Sequence, residues 1–271
     1  AVTRPGIYFG EEQLDYALVR TTTDEFDYPS GESNAFTRYE GAAGIGIGSF
    51  WRRLLFAAYL AERKLLLTGY LSDESRLLLH RRIQDRLPKL APFLRYDRDP
   101  YLVIHEGNLV WVHDAYTVSN RYPYSEPYAS FNYIRNSVKA VVDAYDGTTT
   151  LYAVDETDPV LRTYRKVFPG LFTDGAAMPE KLQSHLRYPE DLFAVQAQLY
   201  AKYHMTDPET FYNREDLWEF ATESYGGQEA PVEPYYVVMR LPGEDREEMI
   251  LMVPFTPSNK DNMIAWLAAR C

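Results

Sequence analysis

The sequence predicts an α+β fold in which antiparallel hairpins pack with several helices. Three observations carry that expectation. Hairpin-shaped segments built around Gly-containing turns recur at Tyr101–Tyr116, Ser137–Asp155 and Tyr235–Phe255. Three other segments open on Pro beside an acidic residue, the signature of a helix start. Strands and helices follow one another without β-α-β alternation, which separates the chain from the parallel α/β class.

The elements follow in order. Residues 7–28 are β-branched and aromatic, read as extended, and run into Pro29. Residues 29–48 read as a loop closing in "GAAGIGIGS". From Phe50 to Leu67 the apolar positions follow helical spacing, and a long helix buried on most sides is expected. A second helix is expected over Ser72–Leu90, capped by Ser72 and ended by Pro88 and Pro92.

In "YLVIHEGNLVWVHDAY" the turn falls at Gly107-Asn108. That register puts Leu102, Ile104, Trp111 and His113 on one face, and Val103, Val110 and Val112 on the other. Both faces are apolar, so the hairpin is expected inside a sheet covered on both sides. The next hairpin turns at Asp146-Gly147 and pairs Val142 with Leu151 and Ala140 with Ala153, although Ile134, Val138, Val141, Val142 and Tyr145 also fit helical spacing. The Pro-acid starts predict helices at about 159–168, 189–203 and 208–224. The last hairpin turns at Pro242–Asp245, and residues 259–270 read as a closing helix.

Composition narrows the function. A net charge of −11 argues against nucleic acid, which demands a basic footprint, and equally against electrostatic docking on an anionic lipid surface. The one cysteine, Cys271, excludes an intrachain disulfide and a multi-cysteine zinc site. No stretch has the length and purity of a membrane span.

Few motifs with a known chemistry occur in the chain. "GAAGIGIGS" precedes a helix, yet it lacks G-K-[ST] and the G-x-G-x-x-G spacing. His80, His105, His113, His185 and His204 form no H-E-x-x-H or close pair, and no G-x-S-x-G occurs. No metal or other cofactor is expected. Asp97, Asp99, Asp114, Glu126 and Asp143 are acids in search of a role, and "D-R-D-P" is no EF-hand loop.

One stretch stands out. Tyrosine accounts for 23 of 271 residues, and five fall in Asp114–Val138, "DAYTVSNRYPYSEPYASFNYIRNSV". Joining two predicted hairpins, it is expected to be a long loop or short-helix segment, and such loops are often functional. Tyr116, Tyr122, Tyr124, Tyr128 and Tyr133 offer ring faces for sugar or peptide stacking; Arg121 and Arg135 offer forked donors to carboxylate or phosphate. The alternative is that these groups tie the segment to the core through buried hydrogen bonds. His185, Arg187 and Tyr188 precede an expected helix N-terminus, where anions bind readily.

Several long segments carry a resemblance: "RPGIYFGE", "EFDYPSG", "APFLRYDRDPYLV", "VHDAYTVSNRYPYSE", "NYIRNSVKAVVDAYDGT", "HLRYPEDLF" and "YHMTDPETFYNREDLW". Together they resemble the uncharacterised bacterial protein family 0182 over nearly the whole chain. The resemblance implies a large multi-pass membrane protein with an N-terminal block of transmembrane helices and a big extracytoplasmic region. Residues 1–271 would then be a single soluble extracytoplasmic domain, with the parent continuing at both ends and holding it at the cell membrane. No catalytic residue comes with the resemblance.

The expected function is a binding or assembly role, with Tyr116, Arg121, Tyr124, Arg135, His185 and Arg187 meeting an envelope or protein partner. The alternative is an enzyme acting on cell-envelope glycan or peptide, with Asp114, Glu126, Arg135 or His185 in one cleft.

Overall fold

A computed structural model describes residues 2–12, 16–31, 33–258 and 260–271. These form seven α-helices and seventeen strands, an α+β fold. At its centre are two long antiparallel strands, Asn108–Ser119 and Tyr133–Asp143. On one side Thr149–Ala153 pairs antiparallel with Tyr133–Asp143. Phe172–Asp174 then adds in parallel, after a crossover through the helix Pro159–Val167. The other edge of Asn108–Ser119 is shared by two short strands. Tyr101–His105 pairs with its first half and Arg95–Tyr96 with Ala115 and Tyr116. The chain between them, Asp97–Pro100, leaves the ladder, and this excursion creates the junction described below.

The sheet is covered on both faces, as the apolar alternation requires. Trp111, Ala115, Val138, Ala140 and Val142 pack with Phe9, Ile83, Leu87 and Leu161. Tyr101, Val103, Val110, Val112 and Val141 pack beneath Met178 and Leu182. Leu102 and Ile104 at the hairpin end stay exposed. A second sheet is built around Glu247–Pro257, which pairs with Tyr235–Arg240, Trp218–Phe220 and Ala265–Arg270. The helix Glu190–Tyr203 lays Phe193, Ala197 and Ala201 on its Leu251, Val253 and Phe255. A small third sheet joins Tyr16–Val19, Arg76–Leu79 and Ile45–Gly46.

Several expectations change. The first hairpin keeps its faces, but the turn is Glu106-Gly107, with His105 opposite Asn108. The second keeps its faces with a register shifted by two residues: Leu151 faces Ala140 and Ala153 faces Val138. The cause is Asp143, whose carboxylate accepts the backbone N–H groups of Tyr145 and Asp146 at 2.8 and 2.9 Å and so lengthens the turn. An even shift preserves which face each side chain occupies. The helical alternative for this segment is not adopted.

The helix expected over Ser72–Leu90 is instead the strand Arg76–Leu79 followed by a helix over Ile83–Leu90. Leu77 and Leu78 are both fully buried, and a strand buried on both faces carries no alternation to distinguish it. The helix from Phe50 stops at Tyr59, where Ala61 turns to positive φ, and resumes as Lys64–Leu67. It is not buried on most sides; only Ala57 is enclosed in its first part.

The expected helix at 208–224 ends at Asn213, capped by Arg214 in the left-handed region, and strands follow. The closing helix is the strand Ala265–Arg270, its helix-favouring alanines overruled by pairing to residues 250–255; Asn259 lies outside the described residues. Within 7–28, strands occur at Tyr16–Val19 and from Glu25 onward, with 13–15 outside the described residues. Residues 29–48, expected as a loop, contribute to the hairpin Glu25–Ser30 with Ser33–Thr37 and to the strand Ile45–Gly46. The two central hairpins merge into one long strand pair, so the expected loop over 114–138 shrinks to residues 120–132.

Candidate functional site

The Asp97–Pro100 excursion meets the start of the helix Glu190–Tyr203 at a polar junction. Asp97 N donates to Asp114 O at 3.0 Å, which pins the excursion to the central strand. The Asp97 carboxylate then gathers three donors: Tyr116 OH, Asp99 N at 3.1 Å, and Asp191 N at 3.0 Å. The last of these caps the helix from the Asp97–Pro100 excursion, supplying an acceptor to one of its free N–H groups. Arg98 reaches Asp191 at 2.7 Å and Glu233 at 3.4 Å. Beneath them, His113 is fully buried with Nε2 2.7 Å from Asp97 O, so Nε2 carries the proton, and Nδ1 has no partner among the described residues. Burial pushes its pKa down and keeps it neutral.

On the other side of the strand pair, Lys139 forms a buried ion pair with Asp114, and Asn136 donates to the same oxygen at 2.9 Å. Burial pushes Asp114 up against the pull of Lys139. Lys139 also lies 3.4 Å from Arg187 O. The Arg187 guanidinium sits between two rings, 4.4 Å from the Tyr101 centroid and 5.3 Å from that of Tyr236, while its backbone N–H donates to Tyr101 OH. Tyr236 OH closes the junction onto Tyr188 O at 2.6 Å.

Four acids converge here, and their environment shows in their titration. Burial, then Asp99 and Asp97, push Glu190 up to about 7. Burial raises Asp99 and Asp191 as well, and Asp97 adds to both. The helix N-terminus offsets part of this crowding, because its dipole favours negative charge. No group of three or more His, Cys, Asp or Glu residues arranged to hold a metal ion occurs among the described residues.

The six residues singled out from the sequence separate into groups. Tyr116 is enclosed in the core, its hydroxyl engaged by Asp97; burial, then Asp97, push its pKa up. Arg187 belongs to the same junction, and His185 lies beside it in an open groove of about 390 Å³ with Ile104, Met249 and Cys271. Arg121 and Tyr124 stand on the 120–132 loop, and Arg135 is exposed on the long strand next to it. Asp114, Glu126, Arg135 and His185 do not gather in one cleft: Asp114 is paired inside the sheet, whereas Glu126 meets Lys202 at 2.9 Å on another face.

Sequence reading missed Lys139, Glu190, Asp191 and Tyr236. The acids were visible only as a helix start, and nothing in the spacing showed which strand edge that helix would meet.

The loop is held by its own hydrogen bonds. Asn132 bridges it by accepting from Tyr122 N at 3.0 Å and donating to Tyr122 O at 2.8 Å, and Ser125 Oγ donates to Asn132 O at 2.7 Å. Tyr122 stacks on Tyr133, 5.3 Å between centroids. Tyr124 sits at the tip with φ of 57° and is fully exposed. Beside the loop, Glu126, Tyr128, Lys202, Arg214, Trp218 and Phe220 line a groove of about 700 Å³.

The fold and these features define a class: an α+β domain organised on one long strand pair, with an internal polar junction and a braced aromatic loop. Within that class, the chain belongs to the uncharacterised protein family UPF0182, which it matches over residues 1–271. It is 54% identical over 270 residues to a UPF0182 protein of Pelotomaculum thermopropionicum, covering 99% of this chain and 30% of that protein. It is 52% identical over 275 residues to one of Microcystis aeruginosa, covering 99% and 29%. The UPF0182 protein of Methanospirillum hungatei is 52% identical over 278 residues, covering 100% and 31%. The chain thus spans about 30% of the length of the curated relatives it matches. No solved structure matches it. Among the described residues, no helix is long and apolar enough to cross a membrane.

Proposed function

We propose that this chain is an extracytoplasmic interaction domain of a multi-pass membrane protein, and that it recognises an envelope component or partner subunit through the 120–132 loop and the groove beside it. The observation that carries the reading is the presentation of Tyr124. A non-glycine residue at positive φ costs free energy and persists only where its surroundings hold it. Here Asn132 and Ser125 brace the loop, and the side chain so held faces solvent. Strain maintained in the backbone beneath an outward-facing tyrosine supports recognition, because a pre-ordered loop loses little entropy on binding. Most polar groups of the junction, by contrast, are engaged with one another, His113 Nδ1 excepted. The extracytoplasmic placement is what the family resemblance implies, and it is part of the proposal.

The test uses the full-length parent in its membrane. A photo-crosslinking residue replaces Tyr124, and trapped species are identified by mass spectrometry. One recurrent protein or envelope polymer is expected, lost when Tyr122 and Arg121 are replaced by Ala in a protein that still folds. Recovery of self-contacts alone would overturn the reading. A tag inserted in the exposed Gly226-Gly227 turn, reached by protease only after the membrane is breached, would overturn the placement.

A further inference from the structure

The helix Phe50–Tyr59 is apolar on two opposite faces. On its inner side Ala57 is buried, and Phe56 and the following Leu60 pack on Ile47, Leu71 and Leu77. Its outer face presents Trp51, Leu55, Ala58 and Tyr59 to solvent, Trp51 at 74% exposure. Past the break at Ala61, Leu67, 83% exposed, and Tyr70 are also presented to solvent. A helix apolar on all sides is ordinarily enclosed.

The charge beside this ridge is opposite to that of the molecule. Residues 50–70 hold Arg52, Arg53, Arg63 and Lys64 against one acid, Glu62, in a chain of net charge −11. At physiological salt, exposed charges act over about 8 Å, so nearby groups dominate over distant ones; they include these four cations and, against them, Glu62 and Asp73, which lies against Gly48 at the helix start. The total that spoke against an anionic surface therefore does not describe this face.

A cleft of about 740 Å³ adjoins the helix and shares Tyr59 and Leu60 with it. Its other wall carries Arg81, Arg82 and Lys89, with Asp85 its one acid. Arg81 is 9% exposed and donates its Nε–H to Tyr8 O at 2.6 Å. Among the described residues, Arg81 and Lys89 form no ion pair, and Arg82 reaches Asp85 only at 4.0 Å. Burial pushes the Arg81 pKa down, the direction produced by a cation held out of water.

We propose that this face docks on an anionic phospholipid surface. Trp51, Leu55, Tyr59 and Leu67 enter the interfacial zone, Arg63 and Lys64 lie against the headgroups, and a lipid phosphate seats between Arg81 and Arg82. Aromatic and aliphatic side chains on one exposed face, flanked by cations, are the chemistry that lipid interfaces select. The cation-lined cleft adjoining that face favours a lipid over an apolar protein partner. This surface is separate from the 120–132 loop, so the proposal stands or falls independently of the partner reading above.

The test is co-sedimentation of the 271-residue chain with vesicles of phosphatidylcholine alone and of mixed phosphatidylcholine and phosphatidylglycerol. Binding is expected to the mixed vesicles and to weaken with salt. The exposed-face variant W51S/L55S and the charge variant R63E/K64E are each expected to bind roughly tenfold more weakly or worse. Arg82→Gln with Lys89→Gln tests the cleft and is expected to remove the preference for the anionic lipid while some apolar binding remains. Equal partition into both vesicle types, or binding unaffected by W51S/L55S in a protein with unchanged circular dichroism, would overturn the proposal. A chain that dimerises and becomes monomeric on W51S/L55S would also overturn it, giving the face to a second copy.

Discussion

Replacing Glu190 by glutamine should stabilise the protein above neutral pH and leave it almost unchanged in mild acid. In the folded chain Glu190 is half-buried at the helix start beside Asp97 and Asp99, and its pKa rises from 4.5 to about 7. Each pKa unit is worth about 1.4 kcal/mol, so ionising this group in place opposes folding by roughly 3 kcal/mol if solvent is ignored. Solvent reaching the half-buried carboxyl screens its neighbours and brings this to about 1.5 kcal/mol. The sign follows from proton uptake. Between about 4.5 and 7 the folded state holds the proton that the unfolded chain has lost, so stability from this group falls as pH rises through that window. The glutamine side chain would carry no charge at any pH, and the fall would disappear.

Urea unfolding of wild type and E190Q, at about pH 5 and about pH 8, measures the effect. The curves should nearly coincide in acid, and the variant should be the more stable in base. A variant less stable than wild type at the higher pH would refute the reasoning, because it would mean that an ionised Glu190 is held by favourable partners such as Arg98.

Three further substitutions test the frame around the junction. Lys139→Met strands the Asp114 carboxylate inside the sheet and should cost about 3–5 kcal/mol by denaturant unfolding, with Asp114→Asn in the same chain restoring part of it. Asp158→Ala removes the cap of the helix Pro159–Val167 and the acceptor for Thr117, Ser137 and Tyr133, and should cost about 2–4 kcal/mol. Burial pushes Asp158 up, but hydrogen bonds led by Ser137 and Thr117 outweigh it and hold the carboxyl below its usual value. Its contribution is therefore present above the unfolded value and lost as pH falls through the folded one, so the variant should lose less stability than wild type on acidification. Gly147→Ala meets the Phe9 ring at 2.8 Å at a φ of +70°, and should lower stability by about 1–3 kcal/mol in a thermal or urea melt.

What the sequence discloses depends on whether the deciding interaction is local. The hairpin faces at 101–116 and 137–155 were readable because alternation is a property of the strand itself. The starts of the helices Pro159–Val167, Glu190–Tyr203 and Pro208–Asn213 were readable from their Pro-acid pattern, and in two of them Asp158 and Asp207 accept from N–H groups two or three residues away. The mistaken helices lie where a distant partner decides, whereas the register of the second hairpin was missed through the local turn at Asp143. Arg76–Leu79 becomes a strand because Tyr16–Val19 and Ile45–Gly46 flank it, and Ala265–Arg270 because Glu247–Pro257 offers it an edge.

The site followed the same division. Tyr124 and Arg121 were found as members of a dense aromatic stretch, and the loop that carries them exists. Tyr116 was grouped with them by proximity in sequence, yet one strand residue beyond Ala115 it turns inward to Asp97. The outer face of Phe50–Tyr59 was misread as a core face, because apolar helical spacing has the same period whether the stripe meets the protein's own core or something outside it.

The family-bearing segments acquire a common physical reason at the junction. "RYDRDP" supplies Asp97 and Arg98, "VHDAY" supplies His113, Asp114 and Tyr116, "IRNSVK" supplies Asn136 and Lys139, and "HLRYPED" supplies Arg187, Tyr188 and Asp191. Asp97 alone accepts from three donors and ties a strand edge, a core tyrosine and a helix start. Replacing it with a group of another length strands Tyr116 OH in the core and uncaps the helix together, so its neighbours are coupled through one carboxylate rather than additive. A site that binds or transforms a ligand keeps some of its polar groups facing the space the ligand will fill. Here most motif side chains face one another, His113 Nδ1 and the groove-lining His185 and Arg187 apart, and further unmatched chemistry lies elsewhere: in the tyrosines of the braced loop, and in the apolar ridge with the arginines of its cleft. The long motifs are thus better understood as the means by which separate sheets are locked in register, and the outward surfaces as the places where this chain meets the rest of its environment.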